Sequence, residues 1–320
     1  MAQYLIKRIL TAVPVFFGIT LAVFLMLQAA PGTAADLAGA GEFTSADQQA
    51  VEAALGLDQP LPIRYLRWLS GLLRFDLGRS FQSGRAVMPV IAQRIAPSLL
   101  LTGTGVLLAV AAALPLGVLS ACRPHGLLDR VSTAVAFAGS GLPGFFVSLL
   151  AVYFFAVRLR LLPASGMYTA GGSGTVGDLL RHLVLPACVI ALSNFGSLLK
   201  QTRSACMEVF SEPFMQSARS RGIGAWAVVV RHGFRNALPP VLTTVLGHIP
   251  HLIGGSMVVE CIFGWPGMGS LMLAAIRSRD YAIAMGVTVL VALAVLGANL
   301  LLDVLYGIAD PRVSYTRSGQ

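Results

Sequence analysis

The sequence predicts an all-α, polytopic membrane protein with about six transmembrane helices. Of its 320 residues, 56% are hydrophobic and 12% are charged, whereas a soluble globular domain carries about 25% charged residues. The mean hydropathy is +0.76. Uncharged runs recur along the chain, and each is long enough, or nearly so, to cross ~30 Å of hydrocarbon as a helix. They cover residues 9–28, 98–121, 131–157, 183–199, 239–259 and 282–302.

The first run follows Lys7 and Arg8, and this arrangement also occurs in signal peptides. Its apolar stretch is 20 residues long, whereas a signal core has about 7–15 residues. A length of about 20 residues is what a bilayer span requires. We therefore expect a retained first helix.

Helix-breaking residues lie inside several runs, namely Pro115, Pro143, Pro186, Pro250 and Gly254. Such residues disfavour a soluble helix, but neighbouring helices in a membrane bundle satisfy the backbone groups that a break sets free. The fourth run is the shortest, and we expect its helix to continue past Lys200 towards Arg203.

The distribution of charge predicts a multi-pass protein of the cell membrane with both termini in the cytoplasm. In this orientation 12 of the 23 Lys and Arg residues, but 5 of the 14 Asp and Glu residues, lie in inner segments. Cytoplasmic loops carry such an excess of basic residues. The basic residues flank apolar runs and form no single stripe, so the net charge of +9 indicates contact with a lipid membrane and not with nucleic acid.

The runs divide the chain into four parts. Residues 1–30 form the cytoplasmic N-terminal end and the first helix, and residues 31–97 form a long outer segment. Residues 98–306 form a five-helix core, which includes an inner segment at 204–238 and an outer loop at 260–281. Residues 307–320 form a cytoplasmic tail.

The inner segment contains a short helix with clear boundaries. Glu212 precedes Pro213, which is favoured at the first helical position, and Gly222 stands just past the predicted end. Arg219 and Arg221 lie in the last turn, where basic residues suit the helix dipole. A helix of about nine residues is unstable alone in water, so it packs either on this chain's own spans or on a partner.

A second short helix is predicted after Gly224. Its apolar residues Trp226, Val229, Val230 and Phe234 fall on a roughly common face.

The inner segment resembles the coupling segment of inner-membrane permease subunits of binding-protein-dependent ABC importers. In the register of that family's E-A-A-x-x-x-G pattern the chain reads Q-S-A-R-S-R-G, so that only Ala218 and Gly222 match strictly. The stretch A-R-S-R-G, followed by R-H-G-F-R-N-A-L-P from Arg231, is more similar to the dipeptide, oligopeptide and nickel branch, which tends towards A-R-A-K-G and R-H-x-x-R-N-A-L-x-P.

Other stretches agree with this branch. Residues 259–269 and 279–281 are similar to its outer loop before the last helix, and residues 55–61, 64–65 and 76–80 resemble its first outer domain. Residues 303–306 and 310–312 fit its C-terminal end. The resemblance covers nearly the whole chain, and the long first outer segment indicates the first of the two paired permeases.

The resemblance implies the type I ABC importer permease fold, with an extra outer domain between helices 1 and 2. It implies a non-catalytic subunit that forms half of a pathway for dipeptides or oligopeptides. The implied partners are a second homologous permease in a heterodimer, two cytoplasmic ATPase subunits and an external solute-binding protein. Nickel complexes or glutathione-like solutes are the alternative substrates.

The absence of a nucleotide-binding motif agrees with this division of labour. A P-loop needs Gly-Lys, whereas the chain's two lysines, Lys7 and Lys200, follow Ile6 and Leu199. We therefore expect no cofactor on this chain, and ATP and Mg²⁺ on partner subunits.

The resemblance also assigns residues to two sites. ATPase coupling is expected of Phe214, Met215, Gln216, Ser217, Ala218, Arg219, Arg221 and Gly222. Among these, Phe214, Met215 and Ala218 are expected to fill a cleft on the ATPase, and the two arginines to meet acidic groups. An outer gate is expected of Glu260, Phe263, Trp265, Pro266, Gly267 and Gly269.

Two histidines, His248 and His251, lie three residues apart in the fifth run and are predicted to line the pathway. Two imidazoles on one face could hold a transition metal, but the sequence provides no third ligand nearby, so we predict no metal site. The cysteines likewise lack C-x-x-C spacing.

Two other classes of protein fit this chain less well. A stand-alone secondary transporter or channel usually places ionisable residues mid-membrane, but the six runs contain no Asp, Glu, Lys or Arg. An intramembrane enzyme needs a nucleophile–base pair or a metal cluster. His248 and His251 are the candidates for that chemistry, and the chain has no H-E-x-x-H motif.

Overall fold

Four long helices dominate the computed structural model, which describes residues 2–29, 59–172, 174–248, 252 and 256–309. They are α1 (Ala2–Ala29), α3 (Val87–Cys122), α6 (Val176–Phe210) and α12 (Tyr281–Ala309). Each contains a stretch long and apolar enough to cross a membrane. They contain the first, second, fourth and sixth predicted runs.

Shorter helices connect these four in chain order. They are α2 (Leu61–Leu73), α4 (Leu127–Gly141), α5 (Gly144–Ala151), π1 (Val152–Arg158), α7 (Pro213–Ser220), α8 (Ala225–Ala227), π2 (Val228–Phe234), α9 (Arg235–Gly247), α10 (Met257–Ile262) and α11 (Met268–Arg277). π1 and π2 are π-helical. Within the described ranges the structure contains no β-strand, and an isolated bridge joins Arg79 to Ala86.

The third predicted run is not a single straight helix. α4 and the helix formed by α5 and π1 meet at an angle of 107°. The break falls at Leu142, which adopts an extended conformation (φ −91°, ψ 133°) because the following Pro143 disfavours the helical region for its neighbour. The pair is either one broken span or a re-entrant loop, so the described residues contain four or five spans. The fifth predicted run lies partly outside them.

Two of the long helices extend well beyond their apolar runs. α3 begins at Val87, so residues 87–97 of the predicted outer segment belong to the second long helix. α6 runs from Val176 to Phe210, past Arg203, and it begins where the Thr175 hydroxyl accepts the backbone N–H of Asp178 at 3.3 Å. Both added ends contain charged residues, among them Arg94 in α3 and Lys200 and Arg203 in α6, so they fall outside the uncharged runs that predicted the helices.

The centre of the bundle is formed by α3, α4 and α6, packed at very short range. A β-carbon added to Gly105 of α3 would lie 2.5 Å from Cγ2 of Ile190 on α6. One added to Gly139 of α4 would lie 2.6 Å from the Leu192 carbonyl oxygen, also on α6. Small residues at such contacts let membrane helices approach closely without a large hydrophobic driving force.

The first and last helices pack against each other and run antiparallel. Arg8 near the start of α1 donates from Nη2 to Asp303 Oδ1 at 2.8 Å, near the end of α12. Its Nε lies 2.8 Å from Asp303 Oδ2. The beginning of α1 and the end of α12 therefore lie at the same end of the bundle.

A second ion pair fixes the connection between α3 and α4 to α6. Asp129, in the first turn of α4, accepts from Arg203 Nε at 2.6 Å and from Arg203 Nη2 at 2.9 Å. The backbone N–H of His125 donates to the same carboxylate at 2.8 Å. Asp129 is buried, and its carboxylate holds the loop and both helices together.

Replacing Arg203 with alanine is expected to lower the free energy of unfolding by about 2 kcal/mol, because the buried Asp129 carboxylate loses its partner. The partial exposure of Arg203 keeps the loss below that of a fully buried pair. Thermal unfolding in detergent measures the effect. Arg203→Lys should restore only part of the stability, since lysine cannot form the bidentate pair. Arg130→Ala, an exposed neighbour on α4, serves as control. Equal midpoints for Arg203→Ala and Arg130→Ala would contradict the role given to the pair.

Candidate functional site

The short helix α7 has the boundaries that its sequence predicts. Glu212 is extended (φ −70°, ψ 145°) and Pro213 occupies the first turn. The helix ends at Ser220, eight residues long, and Gly222 adopts a left-handed conformation at φ +76°. The backbone N–H of Gly222 donates to the Arg219 carbonyl at 3.0 Å, which closes the last turn as glycine does at many helix ends.

One face of α7 is buried against this chain itself. Met215 is fully buried and Ala218 nearly so, in a cluster with Val228 and next to Phe210 and Ile223. This burial contradicts the expectation that Met215 and Ala218 fill a cleft on a partner. A helix this short needs a packing surface, and here π2 and the end of α6 provide it.

The opposite face of α7 is open. Phe214 is 42% exposed. The other exposed positions of α7 are Pro213, Gln216, Ser217, Arg219 and Ser220, and Arg221 and Gly222 just after it are exposed as well. The predicted coupling residues thus divide into an exposed set, which can contact a partner, and a buried pair, which docks the helix.

The segment after α7 differs from the predicted amphipathic α-helix. α8 continues directly into π2 and then α9. Trp226 is 62% exposed, whereas Val228 is buried. In a π-helix each backbone bond spans five residues, so the apolar residues no longer share the face that α-helical spacing predicts.

α7 is connected to two larger elements. Ser211 and Glu212 join it directly to the end of α6, and its buried face rests on π2, which leads into α9. A β-carbon on Gly233 of π2 would lie 2.4 Å from Phe210 Cε1 and 3.1 Å from Met215 Cε, so the glycine permits this close contact. α7 is therefore attached to α6 directly and to α9 through π2.

The predicted outer loop is a closely packed element built around a buried carboxylate. Glu260 Oε1 accepts from Ser98 Oγ on α3 at 2.6 Å, and Glu260 Oε2 accepts from the backbone N–H of Ser270 at 2.9 Å. Ser98 Oγ also accepts the backbone N–H of Met268 at 2.7 Å. These bonds connect α10, α11 and α3.

The environment of Glu260 has opposing effects on its acidity. Burial raises the pKa of this carboxyl above its usual range, while the hydrogen bonds from Ser98 and from the backbone of Ser270 and Gly269 act to lower it. A buried carboxylate requires such partners, because an uncompensated charge is costly to remove from water.

The aromatic residues of the loop lie in the core. Phe263 and Trp265 are buried in a cluster with residues of α3 and α6. Trp265 Nε1 donates to the Pro97 carbonyl at 2.8 Å. The backbone carbonyl of Phe263 accepts the backbone N–H of Gly166 at 2.7 Å. Pro266 is partly buried.

Two glycines make this packing possible. A β-carbon on Gly267 would lie 2.3 Å from the carboxyl carbon of Glu260. One on Gly269 would lie 2.5 Å from Cα of Met257. At Gly269 a side chain would push the α10–α11 turn away from the Met257 backbone, and at Gly267 either the Glu260 carboxylate or the turn would have to shift.

His248 lines a cavity of about 450 Å³ between the central helices. The polar residues around it are Thr102, Ser193, Asn194, His248 and Ser256. His251 lies outside the described residues. Among the side chains that are described, no three or more His, Cys, Asp or Glu form a group that could hold a metal ion.

Comparison with known proteins assigns the chain to a family. The family described as "Binding-protein-dependent transport system inner membrane component" matches residues 113–315, and the N-terminal domain of such membrane components matches residues 1–102. The chain belongs to this family. Together the two matches cover nearly all of it.

Relatives of this permease family match over their whole length. A putative peptide permease protein of Brucella suis is 36% identical over 319 residues, with 99% of this chain and 100% of the relative covered. The oligopeptide transport system permease protein AppB of Bacillus subtilis is 37% identical over 316 residues, with 98% and 100% covered. A probable peptide ABC transporter permease protein of Sinorhizobium fredii is 32% identical.

A solved structure confirms the permease fold. The MetNI methionine ABC transporter contains a chain that superposes with a TM-score of 0.56 at 16% identity, covering 70% of this chain and 97% of that one. The predicted type I ABC importer permease fold is therefore confirmed at the level of architecture.

Some residues that hold these permease elements together were not singled out from the sequence. Ser98 carries no motif of its own, and its signal was only its position at the start of an apolar run. Asp280 accepts from Ser80 Oγ at 2.5 Å and so attaches the first outer segment to the start of α12. Ser80 and Asp280 both lie in stretches that resemble the family, but the sequence did not connect the two stretches.

Proposed function

We propose that this chain is a permease subunit of an ATP-driven importer and forms half of the pathway for dipeptides or oligopeptides. The observation that carries the proposal is the match, over 98–99% of this chain and all of each relative, to proteins named as peptide or oligopeptide permeases. A second, homologous permease would form the other half. An external solute-binding protein would deliver the peptide.

In this proposal α7 is the coupling helix. Its exposed face, with Phe214, Gln216, Ser217, Arg219 and Arg221, would contact a cytoplasmic ATPase subunit, the two arginines meeting acidic groups. ATP and Mg²⁺ would be bound there, and this chain would take no part in catalysis. Met215 and Ala218 would fasten the helix to π2, so that movement of the ATPase is passed to α6 and α9.

The outer loop would act as a gate between the binding protein and the pathway. Glu260 connects α10 and α11 to α3 through Ser98, so this element would move with α3 and not as a free loop. Alternating access would then arise from packed helices that shift between two arrangements. The polar cavity beside His248 would lie along the solute's path, with His251 in the same predicted run.

The proposed orientation places both termini in the cytoplasm. The pair between Arg8 and Asp303 supports the placement of the start of α1 and the end of α12 on one side. The excess of basic residues over acidic ones in the inner segments indicates which side that is.

Peptide uptake into proteoliposomes tests this function. The chain is reconstituted with its second permease and ATPases, and labelled dipeptide and oligopeptide, nickel complex and glutathione are each offered with the binding protein. We expect peptide uptake that requires both ATP and the binding protein. If the nickel complex or glutathione is taken up and the peptides are not, that solute replaces peptide as the proposed substrate. Uptake driven by a proton gradient without ATP would overturn the proposal in favour of a secondary transporter.

A further inference from the structure

The outer helix α2 has three distinct strips along its length. Tyr65 faces this chain, where its hydroxyl lies 3.0 Å from Thr20 Oγ1 of α1 and its ring lies 5.4 Å from that of Phe24. Trp68 stacks beside Tyr65, with ring centroids 5.8 Å apart. With about 100° between successive residues, these side chains define one side of the helix.

A second strip of α2 is apolar and exposed. It consists of Ile63, Leu66 and Leu73, of which Leu66 is 62% and Leu73 is 76% exposed. The third strip is basic and consists of Arg64 and Arg67, with Arg74 directly after the end of the helix. A helix with exposed apolar residues on one strip and arginines on the next suits the boundary between lipid and water.

The basic strip borders a cavity of about 370 Å³ between α1, α2 and α12. Four arginines line it: Arg64, Arg67, Arg79 and Arg279. Asp76 is the one acid among its described lining residues, and Asp76 Oδ1 accepts the backbone N–H of Gly78 at 2.8 Å. Much of the remaining wall is apolar or aromatic, and the site therefore suits an anion attached to an apolar body.

The depth of the cavity in the membrane follows from the helices that surround it. Phe24 and Leu27 lie near the end of the α1 span, and Tyr281 and Ala282 lie at the start of the α12 span. With both termini in the cytoplasm, as proposed above, the cavity lies at the outer end of these spans, where hydrocarbon gives way to headgroups. Leu25 and Met26, near the end of α1, are likewise apolar and exposed.

We propose that this cavity binds the phosphate of an anionic phospholipid in the outer leaflet, while α2 lies on the membrane surface beside it. Arginine is suited to the task because its planar guanidinium donates to phosphate oxygens in a fixed geometry. The apolar wall would hold the first part of the lipid's glycerol and acyl chains.

A matched pair of variants tests the proposal. Arg74 lies directly after α2, seven residues from Arg67, and of the two only Arg67 lines the cavity. The full-length chain in detergent is titrated with phosphatidylglycerol and with phosphatidylcholine, and bound lipid is counted by native mass spectrometry. We expect at least about tenfold preference for phosphatidylglycerol. Arg67→Gln should weaken that binding about tenfold, or about 1.4 kcal/mol, and Arg74→Gln should leave it unchanged.

A second variant keeps the test independent of charge. Ala282→Trp would fill the cavity and leave every arginine in place, so it should also remove phosphatidylglycerol binding. Equal binding of the two lipids by the wild type, or equal losses with Arg67→Gln and Arg74→Gln, would overturn the proposal. So would displacement of the lipid by a soluble tripeptide, which would make the cavity a carboxylate site for solute.

Discussion

Replacing Met215 with alanine is expected to disconnect ATP hydrolysis from transport while the membrane spans remain folded. Met215 is the largest side chain by which α7 docks on π2, and removing a buried methionine side chain costs about 2–5 kcal/mol. Because α7 has little other packing, the loss falls on its docking and not on the bundle. Peptide uptake per ATP hydrolysed in proteoliposomes should fall about tenfold or more, since each 1.4 kcal/mol is a factor of ten.

The matched control is Ser220→Ala in the same helix. Ser220 is exposed, and its hydroxyl donates to the Gln216 carbonyl in α7 itself at 3.1 Å, so uptake per ATP should stay near the wild-type value. The thermal midpoint of Met215→Ala should lie close to that of the wild type. Unfolding of the whole chain, or an unchanged ratio of uptake to ATP hydrolysis, would contradict the role of α7 as a coupling helix docked on π2.

Replacing Gly267 with alanine should destabilise the outer loop strongly. The new β-carbon would lie 2.3 Å from the Glu260 carboxyl carbon, so the carboxylate would have to leave Ser98 or the turn would have to shift. Overpacking costs about 1–3 kcal/mol, and a buried charge that loses a hydrogen bond adds to that cost. We expect a loss of about 3 kcal/mol, measured as a lower thermal midpoint in detergent.

The control for this change is Gly103→Ala in α3. A β-carbon there would meet nothing within 4 Å, and alanine is favoured over glycine inside a helix. This variant should be neutral or slightly more stable. If Gly267→Ala were as stable as Gly103→Ala, then the close packing around Glu260 would not hold the loop in place.

The sequence predicted the elements whose signals are local. The long helices follow from uncharged length alone, because only a helix satisfies its own backbone groups in lipid. The limits of α7 follow from Glu212, Pro213 and Gly222, each of which acts through its own backbone conformation. None of these predictions required knowledge of which segments pack together.

Bends within a helical run and the faces that helices bury were harder to predict from the sequence. Hydropathy detects the length of an apolar run but not a bend within it, so the 107° break at Leu142 and Pro143 was not expected although the proline was noted. The π-helical turn at residues 228–234 has no sequence signal as clear as a proline. For this reason Trp226 and Val230 are exposed while Val229 and Phe234 pack against the core, and the four do not share the predicted common face.

Partners distant in the sequence could not be predicted at all. Ser98 and Glu260 are 162 residues apart, and Ser80 and Asp280 are 200 apart. The first pair depends on how α3 packs against α10, and the second on how the loop before α3 meets the start of α12. The burial of Met215 has the same origin, because an isolated amphipathic helix does not specify whether its apolar face meets its own chain or a partner.

Co-purification of partners with charge-reversed α7 tests the central claim most directly. The tagged chain is expressed with its second permease and ATPases and purified in detergent, as wild type, as Arg219→Glu with Arg221→Glu, and as Arg130→Glu. Arg130 is exposed on α4 and not on α7. We predict that the ATPase stays with the wild type and Arg130→Glu but is lost from the double variant. Retention of the ATPase and of its stimulation in the double variant would contradict the assignment of α7 as the coupling helix.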